Sequence, residues 1–164
     1  MAGDTKFKAL QNIYVQKKLA DDSYWLDIVE NVKEVLEGFV KYLGTPPAYT
    51  SEEGRKEHHL RFASFNDGKL VPLDARQILK TGKSFDFRLD LALDTEKSDN
   101  ERVSEIVSAN ISVSMLEGGE LSFMVGNPPK PISIYTRNAE PFYDAVYAVF
   151  SSEVQRKLTA KDIR

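Results

Sequence analysis

A chain of 164 residues with a net charge of −3 and no cysteine has the size of one ordinary domain and can bury a core without disulfide staples. The missing cysteines exclude thiolate nucleophiles, cysteine zinc sites and iron–sulfur clusters, and the slight acidic excess runs against a bare nucleic-acid binder. With 41% hydrophobic and 29% charged residues the composition is that of a folded chain, and no composition shift, repeat or linker divides 1–164.

Near the start, Lys6 and Lys8 are not followed by the ~7–15 continuous apolar residues of a secretory leader. No uncharged run approaches the ~20 residues of a spanning helix. The expectation is a cytoplasmic protein.

Residues 5–20 read as a first amphipathic helix, with Phe7, Leu10, Ile13, Tyr14 and Leu19 among four lysines, capped by Asp4 or Thr5. Asp21, Asp22 and Ser23 read as the cap of a second helix. Its apolar stripe, Trp25, Ile28, Val29, Val32, Val35, Leu36, Phe39, Val40 and Leu43, recurs at three and four. Gly44 and Pro46-Pro47 end it. A polar connection over 45–57 follows.

The period then changes to two. His59–Phe65 reads as a strand with Leu60 and Phe62 on one side, and Asn66-Asp67-Gly68-Lys69 as a hairpin turn. Leu70–Leu73 returns as an edge or a strand end, because Pro72 has no N–H to donate. Asp74–Lys80 suggests a helical turn. In Phe85–Asp94 and Val107–Met115 apolar and polar residues alternate without a break, which predicts one buried and one wet face. Glu117–Glu120 is a tight turn, Leu121, Phe123 and Val125 continue the alternation, and the Asn127–Pro131 loop leads to a short strand with Ile132 and Ile134. A last helix runs from about Ala139 to Leu158, capped by Asn138, with Pro141 in its first turn. Short turns between successive strands force antiparallel neighbours. The expected fold is therefore α+β: two layers, an antiparallel sheet of about six strands, and two N-terminal helices and one C-terminal helix on one face.

Catalytic material is scarce. His58 and His59 are the only histidines, and neighbours on a strand point to opposite faces, so a shared metal is disfavoured and histidine-based triads lack a base. Asp86, Asp90 and Asp94 recur every four residues, about 13 Å apart along a strand. That is wider than the ~5–9 Å of paired catalytic carboxylates, and Arg88 sits between two of them. Thr81-Gly82-Lys83-Ser84 imitates the tail of a phosphate loop but precedes a strand rather than a helix. Lys6, Lys8, Lys17, Lys18 and Arg55-Lys56 give a weak basic signal without stacking aromatics.

The apolar stripe of the last helix is broader than the ~100° needed to seal one core. Phe142, Tyr143, Tyr147 and Phe150 are accordingly the candidate binding residues, with no catalytic or metal residue assigned. The leading expectation is a non-enzymatic binding protein that requires no cofactor, its partner another protein or, as a homodimer, a second copy. The alternative is a small-ligand binder with an apolar pocket between a curved sheet and the C-terminal helix, by analogy with the element order of helix-grip folds. A nucleic-acid-contacting accessory protein ranks third.

Overall fold

The computed structural model describes residues 5–44, 49–50, 56–57, 59–66, 68–93 and 105–162. Helix α1 (Lys6–Leu43) comes first, then a two-residue antiparallel pair, β1 (Tyr49–Thr50) and β2 (Lys56–Glu57). The main strands are β3 (Leu60–Asn66), β4 (Lys69–Val71), β5 (Ser84–Leu93), β6 (Glu105–Met115), β7 (Leu121–Val125) and β8 (Lys130–Ile134). A 3₁₀ turn, Thr136–Asn138, leads into helix α2 (Glu140–Asp162). The six main strands form one antiparallel sheet in the order β4-β3-β5-β6-β7-β8. The fold class is α+β.

Two α-helices stand among the described residues where three were expected. The first two expected helices are one continuous element of 38 residues. Asp21, Asp22 and Ser23 cap nothing; they lie mid-helix, and Asp22 pairs instead with Lys18 at 3.5 Å. Each costs only a few tenths of a kcal/mol against alanine in a helix interior, and no proline interrupts the run. Thr5 caps the whole helix, its hydroxyl oxygen accepting from the Lys8 N–H at 3.1 Å. Gly44 closes the helix at φ 67°, its N–H shared between the Lys41 and Val40 carbonyls.

The strongest alternation becomes the longest ladder: β5 and β6 pair from Ser84↔Ser114 to Leu93↔Glu105. Phe85, Phe87, Leu89, Leu91, Val107, Ala109, Ile111 and Val113 are buried, and Leu121, Phe123 and Val125 of β7 join them. Trp25, Ile28, Val32, Leu36 and Phe39 of α1 and Phe142, Val146 and Phe150 of α2 belong to the same apolar cluster.

The outer strands depart from the expectation in detail. On β3, Phe62 is 38% exposed, while the buried place two residues on is taken by Ser64, whose hydroxyl donates to the Asp86 carbonyl at 2.5 Å. The pair β1–β2 falls within the stretch expected to be only a connection. Asp74–Lys80 is a turn, closed by the N–H groups of Gln77 and Ile78 on the Asp74 carbonyl. Helix α2 begins at Glu140, past the expected cap at Asn138, and carries Pro141 in its first turn. Asp67, Asp94 and Pro46-Pro47 lie outside the described residues.

Leu89 is fully buried in the middle of the ladder. Leu89→Ala is expected to lower unfolding free energy by ~2–5 kcal/mol in urea titration; a loss below ~1 kcal/mol would displace it from the core centre.

Candidate interaction surface

The four aromatic residues singled out on the last helix do not share one fate. Phe142 is fully buried and stacks on Phe123 of β7 with ring centroids 4.1 Å apart. Phe150 is buried and lies 6.2 Å from Phe39 of α1. Both belong to the core, and Phe150 also lines the cleft beside Tyr147. Tyr143 is half-buried between the helices, and its hydroxyl donates to the Val35 carbonyl of α1 at 2.9 Å. Burial, with Glu34 nearby, pushes its phenol pKa up. Only Tyr147 is exposed, at 54%. It borders a shallow cleft of about 290 Å³ that Leu43, Leu93 and Val154 also line.

Tyr143 depends on a residue that the helix pattern alone does not flag. A Cβ on Gly38 would lie 2.2 Å from the Tyr143 hydroxyl oxygen, so the glycine is what leaves room for the phenol against α1. A glycine inside an amphipathic helix is the available signal of such a contact. One turn on, Tyr42 donates to the Asp144 carboxylate at 2.6 Å. That hydrogen bond, ahead of desolvation, raises the Tyr42 phenol above its ordinary value.

A second surface lies at the other end of α1. Every residue from Thr5 to Ser23 is exposed, and α1 first enters the core at Trp25. Phe7, Leu10, Ile13, Tyr14 and Leu19 are each more than 60% exposed. The pattern is not arbitrary. Eighteen residues make about five turns of a helix, so residues that far apart share a face. Phe7, Leu10 and Tyr14 stand that distance before Trp25, Ile28 and Val32, all of them buried. At these three positions the exposed face repeats the core stripe in type and in phase, whereas Gln11, Lys17, Lys18 and Asp21 stand that distance before the buried Val29, Val35, Leu36 and Phe39. At the rate of 1.5 Å per residue the segment projects roughly 27 Å past the core.

The point of departure is pinned. The Tyr24 hydroxyl donates to the Lys83 carbonyl and accepts from the Met115 N–H, tying α1 to the turn before β5 and the end of β6. Thr81-Gly82-Lys83-Ser84, whose sequence imitates a phosphate loop, is here a two-residue turn with Thr81 and Ser84 exchanging main-chain hydrogen bonds. Lys80 lies over the Trp25 ring at 5.4 Å and Lys83 over Tyr24 at 5.9 Å.

Two of the residues considered for catalysis, His59 and Asp90, have structural partners. His59 is buried with Nδ1 2.7 Å from the Ala92 carbonyl; a carbonyl only accepts, so Nδ1 carries the proton. His58 lies outside the described residues. Arg88 Nη2 donates to Asp90 Oδ2 at 2.8 Å. Its Nε is equally close to Oδ1 but poorly aligned, so that contact is ionic rather than a hydrogen bond. Ser108 donates to the same carboxylate. Among the described residues no three histidine, aspartate or glutamate side chains gather as metal ligands would, and no helix is long and apolar enough to cross a membrane. An open groove of about 650 Å³ runs between β6 and the second half of α2, floored by Ala109 and Val125 and rimmed by Lys130, Arg156 and Lys157. Lys157 reaches across it to the Ile106 carbonyl, and Arg156 pairs with Glu153.

Comparison of the chain with protein-family models, with curated proteins and with solved structures finds no match.

Gly38→Ala is expected to destabilise the domain by ~1–3 kcal/mol through displacement of Tyr143, despite alanine's better helix propensity. Thermal melting of G38A alone and combined with Tyr143→Phe checks this, since removing the hydroxyl should recover part of the loss. The Tyr42 phenol is expected to titrate above ~10, so its contribution to stability is present below that pH and fades as pH rises through the raised value. Asp144→Asn should bring the phenol back toward ~10, read by ultraviolet difference titration.

Proposed function

We propose that this protein is a non-enzymatic binding protein that works by contact with protein, and that the first half of α1 is its principal contact surface. One observation carries this: an apolar stripe of core quality, Phe7, Leu10 and Tyr14 with Ile13 beside it, stands in solvent on a helix held out from the domain. Scattered exposed apolar residues need no explanation, but a contiguous set in phase with a buried stripe costs solubility unless a partner covers it. The segment also gains little from its own propensity. Isolated helices of ~12–15 residues are marginal in water, so a cover over the stripe would stabilise the segment as well.

The reading moves the interaction surface expected on α2. Tyr147 and the cleft beside it remain a secondary contact, whereas Phe142, Tyr143 and Phe150 are occupied within the protomer. The Phe123–Phe142 stack fills the space between the sheet and the start of α2, so the small-ligand reading is left with the open groove along the second half of α2. The alternating burial on β5 and β6 supports a two-layer arrangement with the helices on one sheet face, leaving Asp86, Arg88, Asp90 and Ser108 toward solvent.

Photo-cross-linking in the native host tests the proposal. Benzoylphenylalanine in place of Tyr14 should yield a protein adduct on illumination, and the same group in place of Gln16, on the opposite side of the helix, much less. Equal or absent adducts at the two positions would overturn it.

A further inference from the structure

We infer that the partner of the α1 stripe is a second copy of this chain, packed antiparallel along the segment 6–22; this rests on the protein–protein reading above. The charge pattern of the helix supplies the argument. From Thr5 to Ala20 the chain holds Lys6, Lys8, Lys17 and Lys18 and no acid. From Asp21 to Glu37 it holds Asp21, Asp22, Asp27, Glu30, Glu34 and Glu37 against Lys33 alone. Two copies crossing antiparallel near Tyr14 bring Lys6 of each, at the edge of the stripe, beside Asp21 of the other. A parallel pair stacks lysine on lysine, which is repulsive. The two-fold axis lets one stripe serve both sides, with Leu10 and Tyr14 central and the charges flanking.

The same residues argue against a lipid surface. Lys17, Lys18 and Asp21 stand eighteen residues before the buried Val35, Leu36 and Phe39, so the apolar stripe breaks into charge on its own face after Tyr14. A membrane-lying helix wants that face continuously apolar. A short antiparallel contact flanked by charges does not. The overlap is one helix face about 25 Å long, a smaller contact than the standard interface of ~800 Å² per partner, so the dimer is reversible with a dissociation constant of roughly micromolar order.

Sedimentation equilibrium of the full chain, with Trp25 fluorescence confirming an intact domain, tests the inference. Wild type is expected to show a monomer–dimer equilibrium that weakens with added salt. Tyr14→Glu should weaken it at least about a hundredfold while Trp25 stays buried. Lys6→Glu should weaken it about threefold, and adding Asp21→Lys to the same chain should restore it. Tightening by the lysine reversal, or no recovery in the double variant, overturns the antiparallel pairing. A wild type that stays monomeric at several hundred micromolar overturns the second copy. In that case, sedimentation with phosphatidylserine vesicles would reassign the stripe to a lipid surface. An in-cell adduct at Tyr14 whose mass is not twice that of the chain also overturns the second copy, yet leaves the protein–protein reading standing.

Discussion

The alternation on β5 and β6 is the constraint on which the rest of the molecule depends. Ten paired positions put every second side chain on one face, and a slip of one residue would expose Phe87, Leu89, Ile111 and Val113 together. A face that apolar cannot stay wet. At ~25 cal/mol per Å² of apolar surface removed from water, covering it is the largest favourable contribution available to this chain. The second half of α1 and the first half of α2 share one apolar cluster with these strands, and Phe39 meets Tyr143 and Phe150. Gly38 leaves the space on α1 that the Tyr143 ring and hydroxyl occupy.

Packing demand ends where the sheet ends, but the helix does not. Tyr24 marks the limit, with one hydroxyl satisfying two main-chain groups from different elements. Beyond it, α1 continues for five turns with no described residue against it. Continuity is inexpensive, since extending an existing helix avoids the nucleation cost of a new one. What propensity does not explain is why those turns carry Phe7, Leu10 and Tyr14 at the core spacing.

Much of the architecture was legible in the residues. Six strands, the glycine turns at Gly68 and Gly118-Gly119, the edge position of the strand before Pro72 and the closure at Gly44 all follow from local chemistry. The break expected at Asp21-Asp22-Ser23 failed because good capping residues are also tolerable helix residues. Whether they cap depends on whether the chain before them is already helical, which no local pattern reveals. The different surroundings of the four aromatics on α2 were not legible for a related reason. The breadth of its stripe showed that several directions were occupied, but not that α1 occupies most of them through Phe39 and the Val35 carbonyl. Conversely, the stripe of Phe7, Leu10 and Tyr14 was visible, yet only three-dimensional placement separates an apolar helix face that is covered from one that is not.

The five-turn repeat between the exposed and buried stripes makes the stretch from Val15 to Ser23 a phase-setting spacer. Each residue removed or added there would rotate the projecting face by about 100° and shift it 1.5 Å along the axis, with no core contact touched. Length in this stretch is thus coupled to direction. Loops tolerate small insertions because they absorb them; a continuous helix passes them on undiminished to everything beyond. The compass bearing of Phe7, Leu10 and Tyr14 relative to the sheet is therefore set by a count of residues, none of which belongs to either stripe.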